Sequence, residues 1–296
     1  MLASAVQPLI HYSYMGGDNL MVARKRSVLL LGESNVGKTH YGAQFLKRLI
    51  IGRSSLKMFG QATNLDPFDQ ALNSLSDGRA TGHTPSETYV ESIWPVIDAQ
   101  GQQAELVWPD YGGEQVRRMI ADHSIAGAWR DRIQGGTDWI LLVRLHDLKN
   151  ADDIFSRPLV DLGKAQVTSL ARRPSDQARL IELLQMLLYI SPASRDGQVV
   201  TPSLTILLSC WDELEGQHKP REALRASLPM FSDFVESVWD SPAVFGLSAL
   251  ERPLSEQQAD QDYAIKGPES FGYIVRRDGV SDADITWPVS RLLAAA

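Results

Sequence analysis

The stretch LLLGESNVGKTHYG, residues 29–42, decides the fold. Residues 28–31 are a continuous apolar run, the pattern of a strand buried on both faces rather than of an alternating, half-exposed one. From Lys38 onward, Tyr41, Phe45, Leu46, Leu49 and Ile50 recur at helical spacing, and Gly52 is a stop signal. Between strand and helix stands Gly32-x-x-x-x-Gly37-Lys38-Thr39. Two glycines let the backbone turn its N–H groups inward around an anion, and the helix N-terminus adds partial positive charge. Lys38 can reach terminal phosphates, and the Thr39 hydroxyl suits Mg²⁺. The expected phosphate cradle is therefore Gly32, Glu33, Ser34, Asn35, Val36, Gly37, Lys38, Thr39 and His40. A chance glycine turn would not sit between a buried strand and an amphipathic helix.

Working outward, the segments TYVESIWPVID (88–98) and QQAELVWPD (102–110) read as two strands joined by a hairpin. DWILLVRL (138–145), SLTILLSC (203–210) and AVFGLSAL (243–250) read as further buried strands. SDQARLIELLQMLLYI (175–190) reads as a helix capped by Ser175 or Asp176, with Leu180, Leu184, Leu187 and Leu188 on one face. KPREALRASL (219–228) reads as another helix. Buried strands alternating with helices imply an α/β protein with a mostly parallel sheet, one antiparallel edge hairpin and helices on both faces, the P-loop NTPase plan. Residues 60–88 are polar and read as a long functional loop. Residues 1–26 read as a tail or a short appended segment, 27–296 as one nucleotide-binding domain, 147–176 as an insertion and 251–296 as a strand-helix extension. The basic run ARKR at 23–26 reads as a solvated edge.

Bulk composition excludes several classes. A formal net charge of -7 argues against a nucleic-acid binder held by a general basic field. A single cysteine, Cys210, forbids an intrachain disulfide and fits a reducing compartment. No apolar run reaches the roughly 18 residues of a membrane span, and the N-terminus lacks a signal-peptide pattern. A cytoplasmic protein is expected. The six histidines show no metal-site spacing.

Three further signals follow the phosphate loop. LVWPDYGGEQ (106–115) places Asp110 at a strand end, where a carboxylate can hold Mg²⁺ through water, and Gly113 where an N–H can touch a γ-phosphate. LLSCWDEL (207–214) places Asp212 just past a buried strand, positioned to accept both N–H groups of a guanine edge. FGLSAL (245–250) places Ser248 and Ala249 past the next strand, where a backbone N–H can meet the guanine oxygen. In this order, these four elements resemble the small GTPases of the translation-factor-related class. The spelling SCWDEL and the tail GYIVRRDGVSDADITWPVSRLL (272–293) resemble the bacterial double-GTPase families, which are linked by context to conflict and antiviral systems.

The resemblance implies a Mg²⁺-dependent GTP-binding switch that hydrolyses GTP slowly, with a protein effector or activator, or a second GTPase, as partner. It implies a switch threonine before the first hairpin strand. Thr84 is the expected residue, with Thr81 and Thr88 as alternatives; Thr39, Thr84 and Asp110 would serve the metal. Arg79 reads either as a cis arginine finger or, more commonly, as a solvated loop residue. Three departures stand out. The family's Asn-Lys-x-Asp is here Ser209-Cys210-Trp211-Asp212, so Trp211 or Cys210 either covers the base or packs. Glu114, with Gln115 beside it, stands where Ras-like members hold a water-positioning glutamine. Ser34 replaces a loop glycine. A P-loop ATPase or small-molecule kinase, and a non-hydrolysing nucleotide-binding module, are the rival readings.

Overall fold

The computed structural model describes residues 26–82, 90–110, 114–135, 138–146, 148, 175–191, 201–216 and 219–294. The expected tail, apart from Arg26, and nearly all of the expected insertion at 147–176 lie outside them. At the centre is β1 (Arg26–Leu31), parallel to β4 (Gln103–Asp110) on one side and to β5 (Asp138–Arg144) on the other. β6 (Leu204–Ser209) and β7 (Ala243–Ser248) continue the parallel run. β3 (Val90–Asp98) folds back on β4 as the expected hairpin, and β2 (Leu56–Met58) extends that edge antiparallel. The far edge carries a second antiparallel addition, β8 (Tyr273–Val275) and β9 (Ser281–Asp282). The strand order is β2-β3-β4-β1-β5-β6-β7-β8-β9.

Alternate residues of the central strands feed opposite cores, which is why these strands read as unbroken apolar runs. Val28, Leu30, Ile140 and Leu142 join Tyr41, Phe45, Leu46 and Leu49 of α1 (Lys38–Ile51). Leu29, Leu31, Leu141 and Val143 join Leu180, Leu184 and Leu187 of α5 (Asp176–Ile190). Ser175 caps α5 by accepting the Ala178 N–H at 3.2 Å.

Several elements depart from the sequence expectation. The polar stretch 60–88 contains α2 (Asp66–Ser76), which buries Phe68, Ala71 and Leu75. Pro67 at its start and Asp66 and Asp69 in its first turn favour helix initiation. Its contact with α1 requires Gly42: a Cβ there would lie 2.2 Å from the Phe68 ring. α3 (Glu114–Ala121), α4 (Gly127–Gln134) and α7 (Pro229–Val238) are further short helices, the last preceded by the expected helix α6 (Pro220–Ser227). After β7 come α8 (Gln261–Lys266), the second edge and α9 (Trp287–Ala294). Arg26 is not a solvated edge residue. It pairs with Asp138 at 2.7 Å and donates to the carbonyls of Leu293 and Leu292 at 2.8 and 2.9 Å, closing the last turn of α9.

Candidate functional site

The carboxyl ends of β1, β4, β5, β6 and β7 open onto one cavity of about 800 Å³. The loop after β1 forms its floor. Asn35 and Gly37 adopt left-handed backbone, φ 63° and 78°, which turns the chain into the first turn of α1. Gly32 permits close packing: a Cβ there would lie 2.8 Å from Val36 and 3.2 Å from the Leu142 carbonyl. Lys38 Nζ donates to the carbonyls of Gly32 (2.8 Å) and Glu33 (2.7 Å), so its ammonium is held across the loop. Ser34, Asn35, Val36, Gly37, Lys38, Thr39 and His40 all line the cavity, whereas Gly32 and Glu33 do not. The Glu33 carboxylate turns instead to Arg179 of α5.

The opposite end is built from the loops after β6 and β7. Cys210 takes left-handed backbone, φ 53°, and sends the chain into a short turn, Trp211–Glu213. Trp211 is buried against the bare backbone of Gly246 in β7 and does not line the cavity. That settles its role as packing, while Cys210 lines the wall beside Gly37. Asp212 also lines the cavity. Its Oδ1 accepts the Ser248 hydroxyl at 2.5 Å, and the same hydroxyl accepts the Glu251 N–H at 2.8 Å. Ser248 is fully buried; its side chain orients Asp212 from behind, and Ala249 carries the wall. The Ser209 hydroxyl is buried, belongs to a cavity-lining residue and has no hydrogen-bond partner among the described residues.

Arg144, at the end of β5, joins the two ends. Its guanidinium forks onto Glu213 (2.8 and 2.5 Å) and donates to the Asn35 carbonyl at 3.3 Å. A lone arginine closing a buried apolar strand was the available sequence signal for it. Thus the turn after β6 and the loop after β1 are braced by one side chain.

The third wall is the segment before β3. Ala80, Thr81 and Gly82 line the cavity, while Arg79 is exposed and does not. The Thr81 N–H donates to His40 Nε2 at 3.2 Å. Burial pushes the His40 pKa down to about 4, keeping the ring neutral and able to accept. From the other side, Ala80 donates to the Ser255 carbonyl (3.0 Å) and Asp260 donates to the Gly78 carbonyl (2.8 Å). The chain after β7 thus supports the segment Gly78–Ala80, an arrangement the sequence did not disclose. Thr84 and Thr88 lie outside the described residues, as does Gly113. Asp110 ends β4 next to cavity-lining Pro109, and Glu114 begins α3; the side chains of both are outside the described set. Gln115 does not line the cavity. Among the described residues no group of three or more His, Cys, Asp or Glu is poised to hold a metal. A hydroxyl, Thr39, with a single strand-end carboxylate suits Mg²⁺, which keeps several waters and takes substrate phosphates as ligands.

The sequence profile of the family described as Double-GTPase 1 matches residues 29–292. The chain belongs to the double-GTPase 1 family. It is a GTP-binding protein with the P-loop NTPase fold. Among curated proteins, none matches. Solved structures similar to this double-GTPase include Methanosarcina barkeri Roco2 RocCORdC bound to GDP, at 13% identity and a TM-score of 0.32. That likeness covers 89% of this chain and 53% of the Roco2 chain. Another is the bacterial selenocysteine-specific elongation factor EF-Sec, at 10% identity and a TM-score of 0.35, covering 76% of this chain and 26% of the other. The chain therefore spans about half the length of the first and about a quarter of the second. Among the described residues no helix is long and apolar enough to cross a membrane.

Proposed function

We propose that this double-GTPase is a Mg²⁺-dependent GTP switch that hydrolyses GTP slowly when alone. One observation carries the reading: Lys38 and Thr39 face the same cavity as Asp212, whose carboxylate is aimed by a fully buried Ser248 hydroxyl. A carboxylate fixed in this way accepts the paired N–H groups of a guanine edge. The Ser209 hydroxyl can donate to an acceptor on the same base. An ATPase or small-molecule kinase would use the phosphate loop but has no role for a carboxylate fixed there.

On this reading the loop N–H groups and Lys38 bind the phosphates, and positioning and electrostatics supply most of the catalysis. Thr39 and Asp110 would hold Mg²⁺, with Thr84 the proposed switch ligand. Bound Mg²⁺ neutralises charge on the phosphate oxygens. The segment 80–82, supported by His40 and Ser255, is where GTP-dependent ordering would begin. The family resemblance supports a conflict or defence setting in the bacterial cytoplasm, with an effector, an activator or a second GTPase as partner. Phosphate release from GTP with Mg²⁺ over many turnovers tests the enzyme reading. The expected rate is on the order of 10⁻⁴ to 10⁻² s⁻¹, that of unassisted small GTPases. No release above buffer, with GTP bound, would leave a non-hydrolysing binding module.

A further inference from the structure

Glu33, the second residue of the phosphate loop, is touched by two arginines in different ways. Arg179 grips its carboxylate with a short fork, 3.1 and 2.9 Å, and is itself held by Asp176 at 2.5 Å. Arg117, in the first turns of α3, meets the same carboxylate through one contact, Nε to Oε2 at 3.7 Å, with 55% of its side chain exposed. A long, single, wet contact of this kind contributes little. A change of partner therefore costs Arg117 almost nothing.

Among the described residues three arginines line the cavity: Arg117, Arg144 and Arg252. Arg144 is forked onto Glu213. Arg252 is forked onto Asp260 and also reaches Asp262. Among the described residues Arg117 is the one of the three without a forked partner. It shares the cavity wall with Ser34, Lys38 and Pro109, and its helix follows β4, the strand that ends at Asp110. Arg79, read from the sequence as a cis finger or, more commonly, a solvated loop residue, is exposed and off that wall.

We propose that Arg117 is the cis arginine of the hydrolytic step, parked on Glu33 and transferred to the γ-phosphoryl oxygens as charge develops there. This rests on the GTPase reading above. In that step the water oxygen forms a bond to the γ-phosphorus. The bond from that phosphorus to the β–γ bridging oxygen breaks, and its electron pair stays on GDP. One water proton remains on the released phosphate and the other goes to solvent. Arg117 exchanges no proton; its planar donors offset the charge spread over the transferred group. Arg179 keeps Glu33 neutralised once Arg117 has left, so the loop carboxylate does not repel the nucleotide.

The test uses the full chain and compares wild type with Arg117→Ala and Arg117→Lys. Affinity for a fluorescent GDP analogue, single-turnover GTP hydrolysis with Mg²⁺, and trapping of GDP by aluminium fluoride are measured on each. The expected result is GDP affinity within about threefold, hydrolysis slower by about 100-fold or more, and loss of the aluminium fluoride trap in Arg117→Ala. Lysine, lacking the planar fork, should not restore the rate. Hydrolysis and trapping by Arg117→Ala within threefold of wild type overturn the proposal and leave the GTPase reading intact. Equal loss of GDP binding makes Arg117 structural and also overturns it. Wild type that binds GDP but hydrolyses nothing overturns it too, while wild type that binds no GDP removes the GTPase reading itself.

Discussion

Gly246→Ala should weaken nucleotide binding without touching the nucleotide. Gly246 lies in β7, and the Trp211 ring packs on its bare backbone. A Cβ there would lie 2.5 Å from Trp211 Cδ2, 2.7 Å from Cε3 and 3.0 Å from Cγ. Moving from 2.5 Å to an ordinary contact of at least 3.4 Å shifts the ring by about 0.9 Å. Trp211 is 95% buried, so the ring has no open space to take. Overpacking of this kind costs about 1–3 kcal/mol of stability. Trp211 is also the residue before Asp212, so the strain passes to the carboxylate and to its 2.5 Å bond with Ser248. Losing much of one charge-assisted hydrogen bond, about 1.5–3 kcal/mol, corresponds to roughly 10- to 150-fold in GTP affinity. Urea denaturation and a GTP titration measure the two effects separately. Adding Trp211→Leu should relieve the overlap and recover much of both losses. If Gly246→Ala is destabilised but binds GTP like wild type, the claim that Trp211 positions Asp212 is wrong.

Other outcomes follow from the same geometry. Lys38→Ala should stay folded and lose detectable nucleotide binding in equilibrium titration; a folded variant with wild-type affinity would remove the loop assignment. Asp212→Asn should weaken GTP by about 2–4 kcal/mol and improve xanthosine triphosphate, because donor and acceptor roles reverse together. His40 gives a pH signature. Its folded pKa, about 4, lies below the unfolded value of 6.5, so the unfolded chain takes up the proton first. Stability should therefore be unaffected by His40 above pH 6.5 and fall between pH 6.5 and 4, by up to about 3 kcal/mol. His40→Asn should flatten that part of the melting-temperature profile, and an unchanged slope would contradict the burial of the ring.

The phosphate loop was legible because its chemistry demands fixed residue types at fixed spacing between two strongly patterned elements. Asp212 was legible for a similar reason, as a carboxylate just past a buried strand. Ser248 was read as lying just past a strand; it is the last residue of β7, and its hydroxyl is turned away from the cavity onto Asp212. α2 was missed because Phe68, Ala71 and Leu75 are few among polar neighbours, and their partners lie far off in sequence, on α1, on the β3–β4 hairpin and in the chain after β7. The second sheet edge was not resolved for the same kind of reason: β8 has three residues, too few to show a period. The arginine pairings could not be read at all. Arg179 reaches Glu33 across 146 positions of sequence, and nothing local marks either residue as the other's partner. The bond from the Thr81 N–H to His40 could not be read either, because the approach of that segment depends on the chain after β7.

The central claim, that this cavity selects guanine through Asp212, is tested most directly by one competition titration. The full chain, loaded with a fluorescent GDP analogue in the presence of Mg²⁺, is titrated with GTP and separately with ATP. Displacement by GTP at concentrations at least about 100-fold lower than ATP is the predicted result, the discrimination expected from a pair of hydrogen bonds to one base edge. Equal displacement by both nucleotides would contradict the account: the cavity would then read phosphates alone, and the Asp212–Ser248 pair would be structural.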